Sequence, residues 1–136
     1  MTEENEKERR RFQRLERRDQ IKIKVFSFPE RGEYRQATII DISGGGMQIE
    51  TREFYAEKTV LKIEMNFTGW QKYTRSFMKY FGDAASRPLV VLGEVIRCQT
   101  LVAGAKYVLA INFSGIDESQ RQALMRFIRA QILAKA

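Results

Sequence analysis

The sequence has no histidine, a single cysteine and two prolines. Without histidine the chain lacks the commonest general base, the commonest metal ligand and every Ser–His or Cys–His nucleophile pair. One cysteine excludes an intrachain disulfide and a cysteine-cluster metal site. Its free thiol, Cys98, is expected as a small semi-buried residue near a strand end, and it suits a reducing, cytoplasmic setting. No stretch approaches the ~20 apolar residues of a membrane-spanning helix. The N-terminus is polar and lacks the apolar centre of a secretory signal. There is no Walker loop, dinucleotide fingerprint or metal-ligand spacing. Glu94, Asp41 and Lys106 could do acid–base work, but nothing in the sequence places them together. The chain is therefore expected to be non-enzymatic, with no cofactor and no metal.

What is present is positive charge. The formal net charge is +7, which favours an anionic partner such as a nucleotide, a nucleic acid or an acidic membrane. Between Arg9 and Lys24 stand eight basic residues and two acidic ones. Phe12 and Leu15 are the apolar residues before Ile21, too few to order the segment by burial. Residues 1–19 are thus expected as a flexible basic arm, and residues 20–136 as a single domain.

Within that domain the pattern has period two. Ile21, Ile23 and Val25 share one strand face. Pro29-Glu30-Arg31-Gly32 has turn chemistry. Thr38, Ile40 and Ile42 should share a face of the next strand, with Ala37, Ile39 and Asp41 on the other. Met47 and Ile49 open a further strand, and Leu61, Ile63, Met65 and Phe67 alternate in another. Leu89–Arg97 is rich in β-branched residues, and Tyr107, Leu109, Ile111 and Phe113 alternate again. Several short strands at this spacing suggest a closed antiparallel barrel. A helix ends the chain, with Asp117 and Gln120 as a capping box and Leu124, Phe127, Ile128 and Ile132 on one face. Between two strands, Trp70, Tyr73, Phe77, Tyr80 and Phe81 recur at steps of three and four. They predict an amphipathic helical insert at about 69–81. Its simplest role is a lid on the barrel; an oligomer contact or a membrane-surface helix are the alternatives.

Two constellations carry chemistry. The first is Arg9-Arg10-Arg11-Phe12-Gln13-Arg14. An arginine fork fits the O6/N7 edge of guanine, stacks on purines and pairs with phosphate. Alone, such a run equally describes a solvated face or a non-specific nucleic-acid contact. The second is Asp41-Ile42-Ser43-Gly44-Gly45-Gly46. A carboxylate can accept from the N1–H and N2–H₂ edge of guanine, with a hydroxyl beside it. The glycines permit positive φ and close approach of a ligand. Alone, this reads equally as a tight β-turn. Guanine is the base that suits both sets.

Together the two motifs resemble those of the PilZ domain, a bacterial receptor module for cyclic di-GMP. Arg10-Arg11-Phe12-Gln13-Arg14 matches that family's Arg-x-x-x-Arg, and Asp41-Ile42-Ser43-Gly44-Gly45-Gly46 its Asp/Asn-x-Ser-x-x-Gly. Gly93-Glu94-Val95-Ile96-Arg97, Tyr107 to Phe113 and the terminal helix are similar too. Arg14-Leu15-Glu16-Arg17-Arg18 offers an overlapping Arg-x-x-x-Arg, so the register stays open between Arg10/Arg14 and Arg14/Arg18. The resemblance implies a mainly all-β fold: a six-stranded antiparallel barrel with a C-terminal α-helix. It implies cyclic di-GMP as ligand, held by Arg9, Arg10, Arg14, Asp41, Ser43 and Gly46. The arm would order on binding and signal to an unidentified downstream protein. No nucleic acid is expected as partner. Self-association through the Trp70–Phe81 segment or the C-terminal helix is a further expectation. The rival readings are a protein-interaction module of this fold acting without ligand, and a nucleic-acid-binding barrel.

Overall fold

A computed structural model describes residues 12–67, 70–73 and 88–135. Seven strands form one sheet: β1 Leu15–Glu16, β2 Gln20–Val25, β3 Arg35–Ile42, β4 Gly46–Thr51, β5 Val60–Met65, β6 Leu89–Val102 and β7 Lys106–Gly115. Helix α1, Glu118–Lys135, follows. All pairings are antiparallel, in the order β1-β3-β2-β5-β6-β7-β4, and β4 also pairs with β3. That last pairing closes six strands into a barrel and leaves no free edge along them. β1 is not a seventh stave. Leu15 and Glu16 pair with Ile42 and Asp41, while β2 pairs with β3 from Thr38 back to Arg35. Both use the same edge of β3, so β1 extends β2 across a three-residue break. The chain therefore joins the sheet at Leu15, ahead of the boundary at residue 20 that the sequence suggests, and Leu15 is buried in the core.

The alternating residues fill the barrel: Ile21, Ile23, Ile49, Leu61, Ile63, Met65, Leu89, Val91, Val95, Leu109 and Ile111 are all buried. Val25 departs from its face and is half exposed, because β2 ends there and the chain leaves the barrel. The larger departure is in β3. The buried residues are Ala37, Ile39 and Ile42, not Thr38, Ile40 and Ile42. Ile39 pairs with Ile49 and Asp41 with Gln48, so β3 holds one extra residue, Ile40, against β4. Such a bulge inverts the alternation beyond it. Strict alternation would have aimed Asp41 inward with Ile39. The bulge turns Asp41 out and Ile42 in.

One end of the barrel is covered by α1 and by a 3₁₀ turn, Trp70–Tyr73. Phe67 and Phe127 stack at 5.4 Å, and Tyr73 meets Phe127 edge-on at 6.3 Å. Trp70 is buried beside them. This start of the expected 69–81 insert is thus a lid packed under the helix. Phe77, Tyr80 and Phe81 lie outside the described residues. Leu124, Phe127 and Ile128 are buried as the helical spacing predicts, and Ile132 is partly buried. Asp117 caps α1: its Oδ1 accepts from the N–H groups of Ser119 and Gln120 at 2.8 and 3.2 Å. Arg17, in the break between β1 and β2, lies 5.3 Å from the Phe67 ring and 5.4 Å from that of Phe127. It ties the start of the described chain to the helix. Cys98 is a half-buried strand residue packed against the core. Among the described residues no helix is long and apolar enough to cross a membrane.

Candidate ligand-binding site

Beside the β3–β4 turn lies an open cleft of about 800 Å³, within the range of small-molecule sites. Arg14, Asp41, Ser43 and Gly46 all line it. They come from two stretches far apart in sequence, and β1 is what joins them. Pairing of Glu16 with Asp41 carries Arg14, two residues earlier, to the end of β3. Its Nη1 is then 3.7 Å from Asp41 Oδ2. Arg18 takes a different course, with its Nη1 3.9 Å from Glu50 Oε1 and outside the cleft. Of the overlapping arginine pairs, then, Arg14 reaches the cleft and Arg18 does not. Arg9 and Arg10 lie outside the described residues.

Burial pushes the Asp41 carboxyl above the ordinary aspartate value. The Arg14 guanidinium and the backbone N–H of Gln48 oppose that shift, and nearby Glu16 adds to it. Asp41 is accordingly an acceptor held out of water beside an incompletely neutralising cation. The arginine is half exposed, so the pair is weak and easily exchanged.

Ser43 organises the turn. Its N–H donates to the Gly46 carbonyl at 2.8 Å, and its hydroxyl donates to the same carbonyl at 3.3 Å. The hydroxyl also accepts from the Gly45 N–H at 3.2 Å. Of the two roles the sequence suggests for the three glycines, left-handed backbone is not the one they serve. Among the described residues, positive φ occurs at Gly32, Gly104 and Lys58. Close approach explains them instead. A Cβ on Gly46 would sit 2.2 Å from the Ile111 carbonyl oxygen of β7. One on Gly45 would meet the Phe12 ring at 2.9 Å, and one on Gly44 both Phe12 and Met125 of α1. The turn is a bare platform on which Phe12 lies.

The cleft also takes residues that sequence reasoning did not single out as ligand contacts: Gln48, Ile96, Arg97, Asn112 and Arg121. Gln48 was readable, as the outward neighbour of Met47 and Ile49. Arg121 carried no local signal, because only the docking of α1 brings it there.

The family model described as "PilZ domain" matches residues 8–130. The chain belongs to the PilZ domain family. Solved structures similar to this PilZ chain include the Bacillus subtilis inhibitor of motility MotI (DgrA), with TM-score 0.69 and 16% identity over 94% of this chain and 53% of that one. The MrkH–c-di-GMP complex of K. pneumonia gives 0.60 and 15%, over 90% of this chain and 51% of that one. The PilZ domain of Escherichia coli YcgR with c-di-GMP gives 0.58 and 14%, over 93% and 96%. This chain thus spans about half the length of the MotI and MrkH structures. The six-stranded barrel with its C-terminal helix is the fold they share with it. A search of curated protein sequences gave no significant match.

Proposed function

We propose that this PilZ chain is a receptor module for cyclic di-GMP and binds it in the cleft beside the 43–46 turn. One observation carries the reading. Arg14 and Asp41, each suited to a different edge of guanine, meet at one cleft wall although 26 residues separate them. Family membership supports it, as do the c-di-GMP complexes of the MrkH and YcgR structures.

In this mechanism guanine replaces the weak Arg14–Asp41 contact. The Arg14 fork donates to O6 and N7, and the Asp41 carboxylate accepts from N1–H and N2–H₂. Ser43 keeps the turn in shape, and Gly46 lets β4 pack against the Ile111 carbonyl of β7, which holds that turn at the cleft. An exposed ion pair contributes about 0–1 kcal/mol, whereas a good bidentate arginine–guanine pair discriminates against a wrong base by about 1–3 kcal/mol. The exchange therefore favours guanine. Micromolar affinity needs about 8 kcal/mol in all. Stacking and the remaining arginines, Arg9 and Arg10 among them, supply the rest as the basic segment ahead of Phe12 closes over the ligand. The closed arm is the surface read by a downstream protein.

Calorimetry with cyclic di-GMP, using GTP and cyclic GMP as controls, tests the reading. Arg14→Ala and Ser43→Ala should each weaken binding at least about tenfold, a loss of ~1.4 kcal/mol. Wild-type affinity in both variants would remove the site assignment. Competition by long DNA would instead favour a nucleic-acid-binding barrel.

A further inference from the structure

The cleft has two further arginines that lie outside the two motifs. Arg97 comes from β6 and Arg121 from the first turn of α1, and both line the same cavity as Asp41. The charged residues of that lining are three arginines against one aspartate. With Asp41 facing Arg14, the cleft keeps an excess of two positive charges. The carboxylates nearest Arg121 in sequence, Asp117 and Glu118, do not line the cavity.

Arg121 is poorly satisfied where it stands. Glu118 Oε2 lies 3.3 Å from its Nη1. Its Nε is buried and, among the described residues, has no hydrogen-bond partner. Buried donors are normally paired, and an exception asks for a reason. The position is also electrostatically wrong for an arginine by itself, because the first turn of a helix carries partial positive charge and favours anions. An oxyanion in the cleft would offset the charge, and a turn of the side chain towards it would give the buried Nε a partner.

We propose that Arg121, with Arg97 of the same cleft, is an anion site for the phosphodiester of the bound ligand, so that the ligand bridges the barrel wall to α1. The proposal rests on the cleft being the cyclic di-GMP site. It makes the helix, and not only the N-terminal segment, respond to occupancy.

The test pairs calorimetry with hydrogen exchange of the intact chain, with and without cyclic di-GMP. Arg121→Ala should weaken binding about tenfold. Arg121→Gln, which keeps most of the side-chain stem, should do the same and covers any loss of folding in the alanine variant. Ligand should slow exchange at residues 118–124 in the wild type. At saturating ligand it should still do so in Arg14→Ala but not in the Arg121 variants. Glu118→Gln, which removes only the carboxylate facing Arg121, should bind at least as tightly as wild type. Wild-type affinity in both Arg121 variants, or unchanged exchange of α1 on ligand binding, would overturn the proposal while leaving the cleft reading intact. A wild-type chain that gives no heat with cyclic di-GMP would overturn both.

Discussion

Asp41 is held in the fold against its own preference for water. Its raised pKa means that folding favours the protonated acid. The associated stability is fully present below the unfolded aspartate value and is lost as pH rises through the folded value. At neutral pH the ionised group therefore costs stability, a cost that the proposed binding role explains, since the ligand would repay it. Asp41→Asn should raise the melting temperature of the ligand-free chain by a few degrees at neutral pH, and thermal melts should show the gain fading in acid. The same variant should bind cyclic di-GMP more weakly. Wild-type binding should itself fall off as pH drops through the raised Asp41 pKa, sooner than an ordinary aspartate would predict. Gly46 shows the opposite balance, since it serves the fold as much as the site. A Cβ there meets a backbone oxygen, which cannot swing away. Gly46→Ala should destabilise by about 1–3 kcal/mol, measured by urea unfolding. At this scale the sequence supplied the identities and not the reasons. The glycine run suggested positive φ, whereas β7, Phe12 and α1 crowd it from outside.

The strands and the helix were legible because burial imposes a period on each. Leu61, Ile63, Met65 and Phe67 point inward because the barrel has one inside. β3 was misread for the converse reason. Nothing in Arg35–Ile42 marks Ile40 as the extra residue, and only the pairing partner β4 defines a bulge. That one residue decides that Asp41 faces the cleft. For α1 the apolar face was readable but its seat was not. Phe127 stacks on Phe67 and meets Tyr73 edge-on, and Arg17 lies over the same ring. Phe127→Ala should cost about 3–5 kcal/mol in chemical denaturation, as large core truncations do. The loss should also loosen the end of the barrel that carries the cleft.

At the scale of the whole molecule, the start of the described chain and the C-terminal helix meet at one turn and along β1. Phe12 and Met125 both crowd Gly44, and Lys135 at the end of α1 reaches the Glu16 carbonyl of β1 at 3.4 Å. The cleft is lined from the N-terminal segment, the barrel and the helix, by Phe12, by the barrel strands and by Arg121 of α1, so a ligand bound there as proposed should stabilise them as a unit. At a hundred times its dissociation constant it should add about 2.7 kcal/mol to unfolding. A melting temperature that rises with cyclic di-GMP and stays constant with GTP would show this. No shift at saturating cyclic di-GMP would contradict it.

The sequence by itself determined the barrel, the terminal helix and the chemistry offered, because alternation, capping and side-chain type are local properties. It brought Arg14 and Asp41 to notice as partners for guanine without placing them side by side. Only the tertiary structure decided which arginine faces the aspartate, which way β3 turns and that α1 contributes to the cleft. Those outcomes depend on strand register and helix docking, which are settled by contacts between residues remote in sequence.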